Sequence, residues 1–328
     1  MESMELLKKL AQTPSPSGNE ENIRNVLREA AKGKCDEMHV DPLGNLTLVK
    51  RGSGENKKRI MAAAHMDEIG VIAKHIDKNG FIRFDALGGL YKKQLVGRRV
   101  MFMNGTIGVI GCEEEEFDKK PSLDKLYIDT GAGSRESSRV SVGDAAIFCG
   151  ETVIDGNIVI SKALDNRAGC YVLLKALDKL NGKNDVYLTF TVQEEVGLRG
   201  AGAAAYAAEP DYAIAVDVTD TGDTPKAPVM EVKLGGGAAV KIMDRSVLCD
   251  AYLRSFITET AKKHNIPYQA EIMSDGGTDA GRIHLSRAGI KTGGISIPTR
   301  YIHSPSEMAD MNDITACADL LAAVLNEI

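Results

Sequence analysis

Residues 189–201, TFTVQEEVGLRGA, constrain this chain more than any other stretch. Val186, Leu188, Phe190 and Val192 alternate with Tyr187, Thr189 and Thr191, the period of two that marks a pleated strand. The apolar run stops at Glu194 and Glu195, Gly197 and Gly200 follow, and 201–208 reads as a small-residue helix. A strand that ends in charge before a helix begins is where open α/β sheets hold their chemistry. Neighbours on an extended chain point opposite ways, so one carboxylate can grip a metal while the other faces substrate. A solvated acidic turn is the plainer reading of such a pair taken alone.

The rest of the chain repeats that grammar. Residues 2–12 and 19–32 read as helices, 37–40 and 46–49 as short strands, and 59–65 as an apolar strand buried on both faces that ends in His65-Met66-Asp67. From about 69 to 155 short β-like runs (69–76, 80–84, 99–103, 106–111, 126–129, 145–148) are divided by glycine and charge, and no long helix is predicted. That span predicts a small β-barrel or sandwich. Glu113 to Glu116 reads as a solvated loop. Helices are then expected over 167–180, 198–208, 250–264, 279–286 and 306–327, and strands over 186–192, 212–216 and 289–297. Strands alternating with helices imply a mainly parallel sheet with helices on both faces. The expected architecture is therefore an α/β/α catalytic domain, 1–66 plus 157–328, with a β domain, 67–156, inserted into it.

Charge and composition remove several function classes. A net charge of −6 with no basic stripe argues against nucleic acid. No apolar run approaches the ~20 residues of a membrane span, and the N-terminus lacks the order of a signal peptide. Six scattered cysteines without a C-x-x-C pair read as reduced thiols in a cytoplasmic protein.

His65 and Asp67 follow one predicted strand, Asp165 precedes a helix, Glu194 and Glu195 follow a second strand, Asp217 a third, and His303 lies ahead of the last helix. Singly, each has a structural explanation; Asp165, for one, could be an N-cap. Placed alike at element ends, they form a nitrogen and carboxylate ligand set without thiolates, which suits a hydrolytic zinc or cobalt site. Two divalent cations would be balanced by Asp165, Glu195, Asp217 and a hydroxide, leaving both imidazoles neutral. Asp67, two residues beyond His65, could set the ligating tautomer. Gly276, Gly277, Thr278 and Asp279 could line a substrate pocket, or form a glycine turn whose Thr278 or Asp279 caps the next helix.

HMDEIG (65–70), DNRAG (165–169), VQEEVGLRG (192–200), VDVT (216–219) and IHSPSE (302–307) together resemble the TET-type dinuclear metallo-aminopeptidases. This is the glutamyl and deblocking aminopeptidase family, some of whose members carry the label endoglucanase. The resemblance implies that Asp165 bridges two metals, one also bound by Glu195 and His303, the other by His65 and Asp217. It implies Glu194 as general base, Asp67 as the orienter of His65, and the β domain as a dimerisation module. Twelve subunits would form a tetrahedral homo-oligomer whose active sites face inward. The sequence departs from that family at 112–121, which is short and acidic.

The expected function is removal of single N-terminal residues from short peptides by a two-metal-activated hydroxide. The alternative in the same chemistry is an amidase or deacylase of N-acyl amino acids. A glycoside hydrolase is weaker, because it needs two carboxylates flanking one bond, whereas Glu194 and Glu195 are adjacent and diverge.

Overall fold

A computed structural model describes residues 2–116 and 121–328. In chain order the elements begin α1 (Glu2–Gln12), α2 (Glu21–Ala31), β1 (Glu37–Val40), β2 (Leu46–Lys50) and β3 (Arg59–His65). Six strands follow: β4 (Gly70–Ile76), β5 (Ile82–Leu87), β6 (Arg99–Phe102), β7 (Ile107–Cys112), β8 (Leu126–Asp129) and β9 (Ala145–Phe148). Then come β10 (Val153–Asp155), β11 (Ile158–Ser161), α3 (Leu164–Leu177), β12 (Asp185–Thr191), α4 (Arg199–Ala208) and β13 (Tyr212–Thr219). The chain closes with β14 (Ala238–Met243), α5 (Ala251–Lys263), β15 (Tyr268–Ile272), α6 (Ala280–Ile283), β16 (Lys291–Arg300), β17 (Glu307–Asp310) and α7 (Met311–Glu327).

The main sheet runs β1-β2-β12-β3-β13-β16-β17-β11-β10, with β14 and β15 branching from β16. Its centre is parallel: β12, β3, β13 and β16 run together, with Thr191 opposite His65 and Asp217 opposite Ser296. The flanks are antiparallel, so the sheet as a whole is mixed. β3 displays the reason for the layers. Ile60, Ala62 and Ala64 pack with Leu7, Leu27, Leu173 and Leu321 from α1, α2, α3 and α7. Met61 and Ala63, pointing the other way, pack with Ala201, Ala204 and Ala205 of α4. The carboxyl ends of the parallel strands meet at one edge of this sandwich.

β4 to β9 close into a barrel in the order β4-β5-β8-β7-β6-β9, filled by Val71, Phe84, Val100, Phe102, Ile110 and Ile128. Glu113 is paired with Arg83 at 2.8 Å and Lys125 at 3.2 Å; of the acidic segment 112–121, residues 117–120 lie outside those described. All six cysteines are free, and no described helix is long and apolar enough to cross a membrane.

Two expectations shift. The last helix starts at Met311, not at 306: residues 307–310 add β17 to the sheet, and the Asp310 side chain accepts the Asn312 N–H to start the helix. β14 and β15, unpredicted, form where a buried lysine interrupts the apolar pattern: Lys241 pairs with Glu271 across the two strands.

Candidate active site

The sheet topology delivers the acids and imidazoles to one place. His65 ends β3, Asp217 lies near the end of β13, Glu194 and Glu195 follow β12, and Asp165 sits at the start of α3. His65 Nε2 is 3.0 Å from Asp165 Oδ1, 3.6 Å from Asp217 and 3.9 Å from Glu194. His303 Nε2 is 3.3 Å from Asp165 Oδ2 and 3.1 Å from Glu195. His65, Asp165 and Asp217 form one potential metal-ligand group, and Asp165, Glu195 and His303 a second; each offers ligand atoms within 4.8 Å of one another. Asp165 belongs to both.

Local backbone explains how these side chains reach inward. Asp165 and Asn166 depart from helical geometry inside α3. Ala163, Gln193, Leu198 and His303 all adopt left-handed φ of +54 to +62°, conformations that non-glycine residues hold only when their surroundings impose them. Asn166 does part of this by donating to the Val216 carbonyl at 2.8 Å and accepting the Gly169 N–H at 3.0 Å. A side chain at 169 would collide with Asn166.

The residue types fit a pair of cations. Glu195 Oε1 is buried without a hydrogen-bond partner, a vacancy that a carboxylate oxygen rarely tolerates unless a cation completes it. Burial lowers the affinity of His65 for a proton, but Glu194, Asp217 and Asp165 outweigh burial and hold the imidazole well above its ordinary pKa. His303 is pushed up to about 12, with burial opposed by Glu195 and Asp165. Glu194 is raised by burial and by Asp217, Glu195 and Asp279, against the lowering pull of His65. This is the electrostatic signature of a carboxylate cluster short of positive charge.

Asp67 is fully buried. His65 Nδ1 lies 3.2 Å from the Asp67 carbonyl and 3.5 Å from its carboxylate, so a proton on Nδ1 leaves the Nε2 lone pair aimed at the cluster. The same carboxylate accepts from the Ser17 hydroxyl at 2.6 Å and from the backbone N–H groups of Glu194 and Glu195 at 3.1 and 3.3 Å. It therefore sets the turn carrying both glutamates as well as the imidazole.

A cavity of about 540 Å³ opens over the cluster. Gly276 and Gly277 line it. Thr278 and Asp279 do not. Thr278 is buried and its hydroxyl donates to Asp244 at 3.2 Å; Asp279 accepts from the Thr191 hydroxyl, and burial raises its pKa to about 7. They are held behind the wall because the loop turns inward to start α6, a helix Asp279 does not cap through its side chain.

Five further residues shape the site. Gly88 and Gly89, in the β5–β6 connection of the barrel, press so close that a Cβ on either would meet Glu195 or His303 at about 3 Å, and Tyr91 lines the cavity. Glu307 accepts the backbone N–H groups of Asp165 and His303, both at 2.9 Å. Glu68 binds Lys162 at 2.7 Å, Arg167 at 3.1 Å and the Ser15 N–H at 3.0 Å, all buried. Glu307 and Glu68 lie inside the motifs quoted above, but only coordinates reveal what they hold.

Known proteins bear on this geometry. A protein of Acetivibrio thermocellus that carries a provisional name as an aminopeptidase is 53% identical over 325 residues, 98% of each chain. The structure of an aminopeptidase from the archaeon Desulfurococcus kamchatkensis superposes with a TM-score of 0.95 at 40% identity, covering 100% of this chain and 95% of that one. The Pyrococcus horikoshii TET1 peptidase, which can assemble into a tetrahedron or a large octahedral shell, matches with a TM-score of 0.89 at 34% identity, covering 99% and 100%. The family model described as M42 glutamyl aminopeptidase matches residues 44–320. That span takes in every residue of the cluster, and the chain belongs to the M42 glutamyl aminopeptidase family of peptide hydrolases.

Proposed function

We propose that the chain is an exo-aminopeptidase that removes single N-terminal residues from short peptides, using two divalent cations, zinc or cobalt, per chain. The observation that carries this reading is Asp165, whose Oδ1 lies against His65 and Oδ2 against His303. One cation would be held by Asp165, Glu195 and His303, the other by Asp165, His65 and Asp217. When bound there, the cations supply Lewis acidity that polarises a carbonyl and makes water a competent nucleophile near neutral pH.

Glu194 stands beside the cluster and belongs to neither ligand group. Its carboxylate takes a proton from the attacking water and delivers it to the departing amine nitrogen as the C–N bond breaks. Asp67 is a positioning residue, fixing the His65 tautomer and the Glu194–Glu195 turn. The carboxylates lining the cavity favour the substrate's free α-ammonium, which restricts cleavage to the first peptide bond. We also assign the inserted domain, residues 67–156, which contains the barrel, as the dimerisation module of an inward-facing dodecamer; the Pyrococcus horikoshii TET1 peptidase, which can assemble into a tetrahedron or a large octahedral shell, supports such an assembly, and a cytoplasmic location agrees with six free thiols.

Glu194→Gln is the direct test. It should lower kcat for N-terminal release by roughly 10²–10⁴ while elemental analysis finds the bound metal undiminished. Full activity in that variant, or after exhaustive chelation, ends the reading.

A further inference from the structure

The cavity's chemistry is uneven, and the unevenness specifies a substrate. Besides the carboxylate and imidazole cluster, the lining includes Leu198, Pro228, Val229, Met230, Ile272 and Met273. Val229 is fully exposed and Ile272 is 53% exposed, and both line the cavity, so they offer it apolar surface left open by the described residues. Such surface inside a concave site is the mark of an apolar ligand group.

The charges agree. No lysine or arginine is among the described residues lining the cavity. An acidic side chain laid against these apolar residues would lose water with no lysine or arginine in the lining to pair with it. A basic side chain fares little better against these apolar residues. Asp275 is almost wholly solvent-exposed and lies 3.8 Å from Arg245. Asp220, also in the lining, acts electrostatically on the cluster residues His303 and Asp165.

We propose that the chain selects N-terminal residues with neutral apolar side chains of leucine or methionine size, that Val229, Ile272 and Met273 form the selecting wall, and that acidic N-terminal residues are rejected. This rests on the aminopeptidase reading above. Discrimination comes from the paired effects of apolar contact and an uncompensated buried charge, together on the order of 100-fold or more.

The test uses the metal-restored full-length chain and tripeptides X-Ala-Ala with X as Leu, Met, Lys or Glu. The expected result is a kcat/KM for Leu and Met at least about 100-fold above Glu and about 10-fold above Lys. Ile272→Asp, on a half-exposed side chain, should cut the Leu-to-Lys ratio by about 100-fold, and Val229→Asp should shift it the same way. Glu or Lys released as well as Leu overturns the selectivity and leaves the aminopeptidase reading standing. An unchanged ratio in both variants also overturns it. Release of no residue at all overturns both.

Discussion

The Glu307 carboxylate accepts the backbone N–H of Asp165 at 2.9 Å across 142 positions of sequence. Its other oxygen takes the N–H of His303 at the same distance. One buried side chain on β17 thus sets the spacing between Asp165, shared by both candidate ligand groups, and the candidate ligand His303.

Glu307→Gln keeps the shape but can offer only one acceptor oxygen to these two donors. We expect metal affinity to fall by roughly 10–100-fold, as removal of an outer partner of a ligand does. Titration of the chelated protein against a zinc-binding dye would measure it. Affinity within twofold of the parent would show that Asp165 and His303 hold their places unaided.

Asp165 and Asp217 should differ in how many ions they control. Asp165 belongs to both ligand groups and Asp217 to one. Asp165→Asn is expected to empty both positions and Asp217→Asn only one, read as metal equivalents per chain after gel filtration. Equal losses in the two variants would contradict a shared Asp165.

Gly88→Ala tests whether the barrel completes the site. Gly88 has φ of +93°, and an added Cβ would lie 2.8 Å from Ile69 and 2.9 Å from the Glu195 carboxylate. Left-handed strain and displacement of Glu195 act together. Activity should drop at least about tenfold with little change in circular dichroism, because a sub-ångström shift of a ligand is enough to impair chemistry. Parent-like activity would show that the barrel merely passes nearby.

The same division separates what the sequence disclosed from what it concealed. His65, Asp165, Glu194, Glu195, Asp217 and His303 were legible because each stands where a periodic apolar run breaks into charge, and a parallel sheet gathers such breaks at one edge. The barrel strands were legible from turn-punctuated short runs. β14 hid because Lys241 stands in its interior, and its partner Glu271 comes 30 residues later. β17 hid because EMAD looks like the first turn of the helix it precedes. Thr278 and Asp279 lie behind the cavity wall, and a glycine pair gives no sign of which way the following backbone turns. Gly88 and Gly89 act through backbone approach, which leaves no trace in residue chemistry.

Asp313, in the first turn of α7, provides a pH test remote from the cluster. It is buried, and its carboxylate accepts the N–H groups of Gly235 and Gly237, both at 2.7 Å, at the end of the loop that carries Val229 and Met230. Burial outweighs those two hydrogen bonds, and with help from Asp310 and Asp223 raises its pKa to about 6. An unfolded aspartate titrates near 3.8, so the native state holds this proton more tightly than the unfolded one. Its stabilising contribution is therefore complete below about pH 4 and is lost as pH rises through about 6. Asp313→Asn cannot ionise and keeps one acceptor oxygen for the loop. The unfolding temperature of the variant, relative to the parent, should rise steadily between pH 4 and 6 and level off above it. A difference that stays flat across that window, or runs the other way, would mean that the two loop amides hold the carboxylate charged and that α7 is tied to the cavity wall by an ion rather than an acid.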